Sequence, residues 1–146
     1  MKLDRGDALA RLAAGDHGVL CTRHPERGVD AVPAVFALDQ AGFLGIPVDR
    51  VKPKSSLDLQ RVRNLEDDPR ATLLVENWDP RDWAALWWVR AQLRWVGETE
   101  PARSAELARR LADRYPQYQD APFARVLVFR VDGVQGWSAA EGSESV

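Results

Sequence analysis

The chain is built from short apolar segments whose connections leave little room for helical crossovers. The segments from His17 to Arg23 and from Ala31 to Asp39 are rich in β-branched and apolar residues, and the sequence HPERGVD between them carries the Pro and Gly of a turn. Together they predict a β-hairpin. Because parallel neighbours need crossovers of about a dozen residues or more, most of the connections in this chain favour antiparallel pairing.

Four further strands are predicted on the same grounds. They cover the FLGIPV segment, Ala71 to Trp78, the long segment from Trp83 to Glu100, and the alternating segment from Ala124 to Val131. Pro33 and Pro47 cannot donate a ladder hydrogen bond, so they suit strand edges, bulges or ends. The sequence therefore predicts a mainly β fold with inserted helices (α+β), arranged as an antiparallel, closed or nearly closed barrel of about six strands.

Three helices interrupt this β series. The first is predicted from Leu3 to Ala14, the second from Ser55 or Ser56, either of which can cap it, to Asp68, and the third from Pro101 to Tyr115. Each helix has an apolar face that is expected to pack on the barrel. The residues predicted on these faces are Leu9, Leu12 and Ala13, then Leu59, Val62 and Leu65, and finally Leu107, Ala108 and Leu111.

Composition limits the classes of protein that remain. With 146 residues and 45% hydrophobic content, the chain predicts a single domain, residues 1–137, and a flexible C-terminal tail, residues 138–146, which has too little apolar content to order itself. The formal net charge of −2 opposes general nucleic-acid binding, so we expect no nucleic-acid partner. A single cysteine, Cys21, and the lack of an apolar run of about 18 residues predict a cytoplasmic protein with no membrane partner.

The sequence offers little conventional catalytic machinery. His17 and His24 are the two histidines, and neither stands at zinc-ligand spacing with Cys21, so we expect no metal site. The chain contains no nucleophile elbow, glycine-rich phosphate loop or dinucleotide-binding fingerprint. These residues identify no catalytic side chain, and an enzyme built on this chain would rely on a cofactor for its chemistry.

A basic segment joins the FLGIPV strand to the second predicted helix. Lys52 and Lys54 precede the predicted helix start, where unpaired backbone N–H groups and the helix dipole favour an anion. Together with the hydroxyl group of Ser55, these lysines predict a phosphate-binding site. The alternative is a solvated polar loop, since charge runs often simply face water.

The second helix extends this candidate site. Arg61 and Asn64 are three residues apart and therefore share a helix face, whereas Arg63 points about 200° away from Arg61. Arg61 and Asn64 are accordingly predicted to contact the bound anion. A solvated helix face is again the alternative.

Six tryptophans are a high number for a chain of this length. Alternation along the predicted strand places Trp83 and Trp87 on one face and Trp88 on the other. One face should pack in the core, and the other can supply an aromatic wall for a planar ring or a subunit contact. Trp78, Trp88 and Trp137 are the candidates for ring or substrate contact, with core or interface packing as the alternative for each.

The order of elements resembles a known family. The segments GVLCT, AVPAVFALD and GFLGIPVD, followed by a basic loop and the helix end RNLEDDPRATLLVE, are similar to the pyridoxamine-phosphate-oxidase-like split β-barrel superfamily of flavin and deazaflavin proteins. Within it, KPK, RVRNLEDDPRA, WWVRA and the closing GW resemble the deazaflavin (F420)-dependent oxidoreductase branch. The resemblance covers the chain from Leu3 to Trp137.

The resemblance implies a homodimer with two cofactor sites in the grooves between the subunits. The ring would lie against the GIPVD strand, and the phosphate would meet basic residues of the following helix. The cofactor-binding residues expected in this way and from the basic segment are Ile46, Pro47, Val48, Lys52, Lys54, Ser55, Arg61 and Asn64. The candidate ring or substrate neighbours are Pro33, Val35, Trp78, Trp88 and Trp137.

The function implied by the resemblance is that of an F420-dependent oxidoreductase. Such an enzyme transfers a hydride between reduced deazaflavin and a conjugated small-molecule acceptor, while the protein supplies binding, orientation and exclusion of water. One alternative is an FMN-dependent oxidoreductase or flavin-binding protein of the same fold. A second alternative is a non-catalytic split barrel that binds a ligand or another protein.

Overall fold

The computed structural model describes residues 1–48, 59–119 and 124–140. Seven strands and three helices make up this part of the chain. The strands are β1 (Gly18–His24), β2 (Gly28–Ala34), β3 (Ala37–Leu38), β4 (Phe43–Val48), β5 (Arg70–Asn77), β6 (Trp87–Trp95) and β7 (Arg125–Ser138), and the helices are α1 (Arg5–Ala14), α2 (Gln60–Asp67) and α3 (Pro101–Arg114). Two short 3₁₀ turns, Trp83–Ala85 and Pro116–Tyr118, follow β5 and α3.

The seven strands form one antiparallel sheet in the order β2-β1-β5-β6-β7-β4-β3. Strand β7 joins the β2-β1-β5-β6 part of the sheet to the β4-β3 part, because residues 125–130 pair with β4 and residues 129–138 pair with β6. The β6–β7 register shifts between Gln92 and Leu93, and such irregularities bend a strand. The antiparallel α+β prediction is confirmed, with seven described strands because Ala37–Leu38 forms a short strand of its own.

A hydrophobic core fills the inside of the curved sheet. The rings of Phe36 and Phe129 are among its largest fully buried side chains. Helix α1 packs on β6 and β7 and contributes Leu12, as predicted, and Ala8, whereas Ala13 is exposed. Asp4 caps this helix by accepting a hydrogen bond from the backbone N–H of Asp7 at 2.8 Å.

The third helix packs on the end of the sheet that contains β3 and β4. It begins at Pro101, ends before Pro116 and buries Leu107 and Leu111, as its periodicity predicts. Helix α3 contacts β3, β4 and β7, and Leu111 packs with Ala37 of β3.

Two predicted strands are shorter than the sequence suggests. The segment from Ala31 to Asp39 breaks between β2 and β3, where Phe36 turns its ring into the core. The predicted strand from Trp83 to Glu100 begins only at Trp87, because Asp82 accepts a hydrogen bond from the backbone N–H of Ala84 at 3.2 Å and caps a 3₁₀ turn. Alternation therefore does not apply to Trp83.

The start of the second helix also differs from the prediction. Helix α2 begins at Gln60, and Leu59 before it has an extended conformation, so this helix begins later than predicted. Ser55 and Ser56 lie outside the described residues. The rest of the prediction is confirmed, because Val62 and Leu65 are buried, Leu59 packs against the core, and the helix ends before Pro69.

The last strand is longer than predicted at its C-terminal end. Trp137 lies within β7 instead of after it, and Ser138, assigned above to the tail, is the buried last residue of the strand. The backbone of Ser138 bonds to that of Met1, with the Ser138 N–H 2.9 Å from the Met1 carbonyl oxygen. Pairing with the N-terminal residues therefore orders this end of β7.

Candidate functional site

An open cleft of about 520 Å³ lies where the sheet does not close. One wall comes from β2, an edge strand, and another comes from β4 near the opposite edge. Strand β3 pairs only with Leu44 and Gly45 of β4, so beyond them β4 has β7 as its one sheet neighbour in the described chain. The residues lining the cleft are His17, Val32, Pro33, Ala34, Val35, Ile46, Pro47, Arg61 and Tyr118.

Five residues predicted from the sequence line this one cleft. Pro33 and Val35 come from β2 and the residue after it, Ile46 and Pro47 from β4, and Arg61 from α2. Pro33 suits its position, because β2 is an edge strand and needs no second set of ladder hydrogen bonds. The cleft thus combines an apolar wall with one guanidinium group.

Val48 does not line the cleft. Its side chain is buried in the core, two residues from Ile46, and its carbonyl oxygen accepts a hydrogen bond from the backbone N–H of Ala124 at 2.7 Å. Val48 therefore belongs to the core in the structure.

Asn64 is buried, and its side-chain amide bonds to other protein groups. It donates to the hydroxyl oxygen of Thr22 at 3.0 Å and to a carboxylate oxygen of Asp30 at 2.9 Å. Its own oxygen accepts from the Gln60 side chain at 2.8 Å. Hydrogen bonds from Arg27 first, and from Asn64 second, hold the pKa of Asp30 below its usual value. Asn64 thus fastens α2 to β1 and β2, and it is not among the cleft-lining residues.

Lys52, Lys54 and Ser55 lie outside the described residues. Their predicted contacts with a phosphate group remain predictions. The segment that carries them runs from the end of β4 to the start of α2, and both of these elements contribute residues to the cleft.

The predicted tryptophan contacts lie away from the cleft lining of their own chain. Trp88 and Trp137 are directly paired across β6 and β7, and the guanidinium carbon of Arg90 lies 5.0 Å from the centre of the Trp88 ring. Trp78 is 51% exposed and its ring centre lies 5.6 Å from that of Trp83, which is 63% exposed. We refer to Trp78, Trp83, Trp88 and Trp137 as the tryptophan surface.

Two polar residues of the cleft have no counterpart in the sequence prediction. His17, just before β1, bonds through Nδ1 to a carboxylate oxygen of Asp16 at 2.6 Å, and this bond lowers the pKa of Asp16. Tyr118 reaches the cleft from the 3₁₀ turn after α3. About a hundred residues separate the two in sequence, so no local pattern could have indicated their proximity.

Residues 1–48, 59–119 and 124–140 contain no group of three or more His, Cys, Asp or Glu side chains placed to hold a metal ion. Of the helices described above, none is long and apolar enough to cross a membrane.

Solved structures with similar folds include proteins that bind flavins. A FAD-binding protein from Mesorhizobium loti has a TM-score of 0.66 and 14% identity, over 93% of this chain and 93% of that chain. An FMN-binding protein from Syntrophomonas wolfei has a TM-score of 0.66 and 13% identity, over 92% of this chain and 88% of that one. A Listeria innocua protein provisionally assigned as a pyridoxamine 5′-phosphate oxidase has a TM-score of 0.63 and 14% identity, over 89% and 94%.

Comparison of the sequence adds no closer relationship. No protein-family model matches the chain, and no curated protein matches it. The structural similarities establish the fold, which is the antiparallel α+β split β-barrel of FMN-binding proteins.

Proposed function

We propose that this protein binds a flavin in the open cleft and acts as a flavin-dependent oxidoreductase on a small molecule. The observation that carries the proposal is the convergence of Pro33, Val35, Ile46, Pro47 and Arg61 on one cleft. Structural neighbours described as FAD-binding and FMN-binding support FMN as the first cofactor to test. Coenzyme F420, implied by the sequence resemblance, is the second.

The composition of the cleft fits such a cofactor. Its volume of about 520 Å³ lies within the range usual for ligand sites. Val35, Ile46 and Pro47 offer apolar contact to a planar ring. Arg61 offers a guanidinium group, which pairs well with a phosphate because it donates two parallel hydrogen bonds. Lys52, Lys54 and Ser55 are proposed to add contacts to the charged end of the cofactor.

The residues of this chain would bind and orient the cofactor. A bound flavin or deazaflavin supplies hydride-transfer chemistry, so no side chain needs to act as a nucleophile. Ile46 and Pro47 would exclude water from one face of the ring, and Arg61 would fix the position of the phosphate. A conjugated small molecule is the class of acceptor proposed for this chemistry.

A second copy of the chain is proposed to complete the site. The cleft is open, and Trp78, Trp83 and Trp137 are exposed although the tryptophan surface lies outside the cleft of its own chain. Indole side chains are enriched in subunit interfaces. In the proposed homodimer, Trp78, Trp88 or Trp137 would contact a ring bound to the partner, and we propose a cytoplasmic location for the dimer.

A parallel fluorescence titration with FMN, FAD and F420 tests this proposal. Saturable binding of FMN at one molecule per chain, with weaker F420 binding, would establish FMN as the cofactor. Submicromolar F420 binding with weak FMN binding would instead identify the deazaflavin as the cofactor. If none of the three binds saturably, the proposal is wrong, and the non-catalytic split barrel that binds a ligand or protein becomes the better description.

A further inference from the structure

Four arginines lie side by side across four neighbouring strands. Arg70 of β5 is directly paired with Arg94 of β6, and Arg94 is directly paired with Arg130 of β7. Arg23 of β1 stands one residue beyond the Thr22–Ala71 pair, which places it opposite Arg70. We refer to Arg23, Arg70, Arg94 and Arg130 as the arginine row.

This arrangement leaves an excess of positive charge. Like charges placed directly opposite each other on neighbouring strands destabilise a sheet. Asp68 accepts two hydrogen bonds from the Arg70 side chain, at 3.0 and 2.8 Å. Asp132 accepts one from Arg130 at 2.7 Å and lies 3.7 Å from Arg94. Two carboxylates therefore face four guanidinium groups, and two positive charges remain.

The two carboxylates stay ionised at physiological pH. The side-chain hydrogen bonds from Arg70 are the main cause that lowers the pKa of Asp68 to about 2. The bond from Arg130 likewise lowers the pKa of Asp132. The remaining charge is thus a fixed property of the folded surface near neutral pH.

A groove of about 380 Å³ runs beside the arginine row. Arg23, Arg70 and Arg94 line it together with Asp68 and Asp132. The rest of its lining is uncharged and consists of Cys21, Thr22, Val29, Ala71, Thr72, Gln92 and Leu93. A ligand in the groove would therefore meet charged groups along one side and neutral groups elsewhere.

The groove is separate from the open cleft. The cleft receives His17, which directly precedes β1, whereas the groove receives Arg23 near the other end of the same strand. His17 and Arg23 are six positions apart, which corresponds to about 20 Å at about 3.4 Å per residue, whereas Val29 of the groove and Val32 of the cleft are three positions apart on β2. No cleft-lining residue also lines the groove.

We propose that the groove binds a linear polyanion, a short chain of phosphate or carboxylate groups, along the arginine row. Neighbouring strands lie about 4.8 Å apart, so the three arginines that line the groove cover about 10 Å, and Arg130 stands next to them in the row. A single phosphate or carboxylate spans one or two guanidinium groups, whereas a chain of such groups reaches all three of the arginines that line the groove. The neutral part of the groove leaves room for the backbone that links the anionic groups.

Calorimetric titration of the full chain tests this proposal. Inorganic triphosphate and a tetraglutamate peptide are the two probes, and inorganic phosphate is the reference. We expect one or both probes to bind at least about tenfold more tightly than phosphate, with affinity falling as salt screens the charges. Tighter binding of triphosphate identifies an oligophosphate ligand, and tighter binding of tetraglutamate identifies an oligocarboxylate.

Matched variants distinguish the groove from general surface charge. Arg94→Gln removes one guanidinium group of the row, while Asp132 keeps its shorter bond to Arg130. Gln92→Glu adds a negative charge inside the groove without removing any arginine. Each should weaken binding of the preferred probe at least about fivefold, whereas Arg5→Gln, an exposed site on α1, should change it less than about twofold.

Several outcomes would overturn the proposal. They are the absence of saturable binding by both probes, binding no tighter than that of phosphate, or equal losses in Arg5→Gln and the two groove variants. Melting temperatures of all variants confirm that the proteins compared are folded. Because flavin titration uses a different site and ligand, failure here would leave the proposed function intact, and the reverse also holds.

Discussion

Arg61 lines the open cleft, whereas Asn64, three residues further along α2, is 1% exposed and bonds to Thr22 and Asp30. Three residues turn an α-helix by about 300°, so the two side chains leave the axis about 60° apart. In this helix, that angle separates a side chain that faces the cleft from one that faces the sheet. The two residues are therefore expected to respond differently to substitution.

Replacing Asn64 should affect stability first. Asn64→Ala removes hydrogen bonds to the buried hydroxyl of Thr22 and to the ionised Asp30, which is partly exposed and keeps its bonds from Arg27. We expect a loss of about 2 to 4 kcal/mol in the free energy of unfolding, measured by urea denaturation. Glu66→Ala, at an exposed position of the same helix, is the control and should change it by less than about 0.5 kcal/mol. Equal stability of Asn64→Ala and the native protein would contradict this role.

Replacing Arg61 should affect ligand binding first. Arg61→Gln removes the guanidinium group from the cleft, and we expect at least about tenfold weaker binding of the preferred flavin or deazaflavin in the fluorescence titration. Arg63→Gln is the matched control, because Arg63 is exposed on the same helix and donates to Gln60 at 2.7 Å. That control should bind within about twofold of the native protein. Equal weakening by both variants would show that general charge matters and not the position of Arg61.

Much of the fold follows from local sequence patterns. The alternation in β7 and the helix signals at Pro101 and Pro116 identify elements that the structure contains. The position of Pro33 on an edge strand also agrees with its chemistry, because proline has no backbone N–H to donate to a second neighbouring strand. These features depend on residues that are close in sequence, which is why they could be predicted.

The details of the site depend on tertiary packing. Helical periodicity places Arg61 and Asn64 on one face, but it cannot say which of them meets the sheet. His17 and Tyr118 join the cleft only because β1 and the end of α3 approach each other in space. The convergence of Pro33 with Ile46 came from the resemblance to a family and not from spacing along the chain.

Gly18 is predicted to tolerate no larger side chain. A Cβ atom at this position would lie 2.6 Å from the carbonyl oxygen of Leu74 and 3.0 Å from a methyl group of Val75. The closer atom belongs to the backbone of β5, so it cannot move without disturbing the sheet. We expect Gly18→Ala to lower the free energy of unfolding by about 1 to 3 kcal/mol in urea denaturation.

Gly6→Ala is the control for that experiment. Gly6 lies in α1, and the nearest atom to a Cβ there is a carboxylate oxygen of Asp4 at an ordinary 3.5 Å. Alanine should therefore stabilise the protein by about 0.5 to 1 kcal/mol, because glycine is a poor helix former. If Gly18→Ala behaves like Gly6→Ala, the close approach at Leu74 is not rigid.

Asp68 is expected to make the stability of the protein depend on pH in the acid range. The side-chain hydrogen bonds from Arg70, and then its backbone N–H, lower the pKa of Asp68 from 3.8 to about 2 in the folded state. The ionised carboxylate therefore contributes its full stabilisation of the folded state above about pH 4, and this stabilisation is lost as the pH falls through the folded-state pKa.

Asp68→Asn should melt at a lower temperature than the native protein at neutral pH, and the difference in melting temperature should shrink between about pH 4 and about pH 2. Asp113→Asn, at an exposed position of α3, is the control and should show no such trend. A difference between Asp68→Asn and the native protein that stays constant down to pH 2 would show that its cause is the lost hydrogen-bond geometry and not the carboxylate charge.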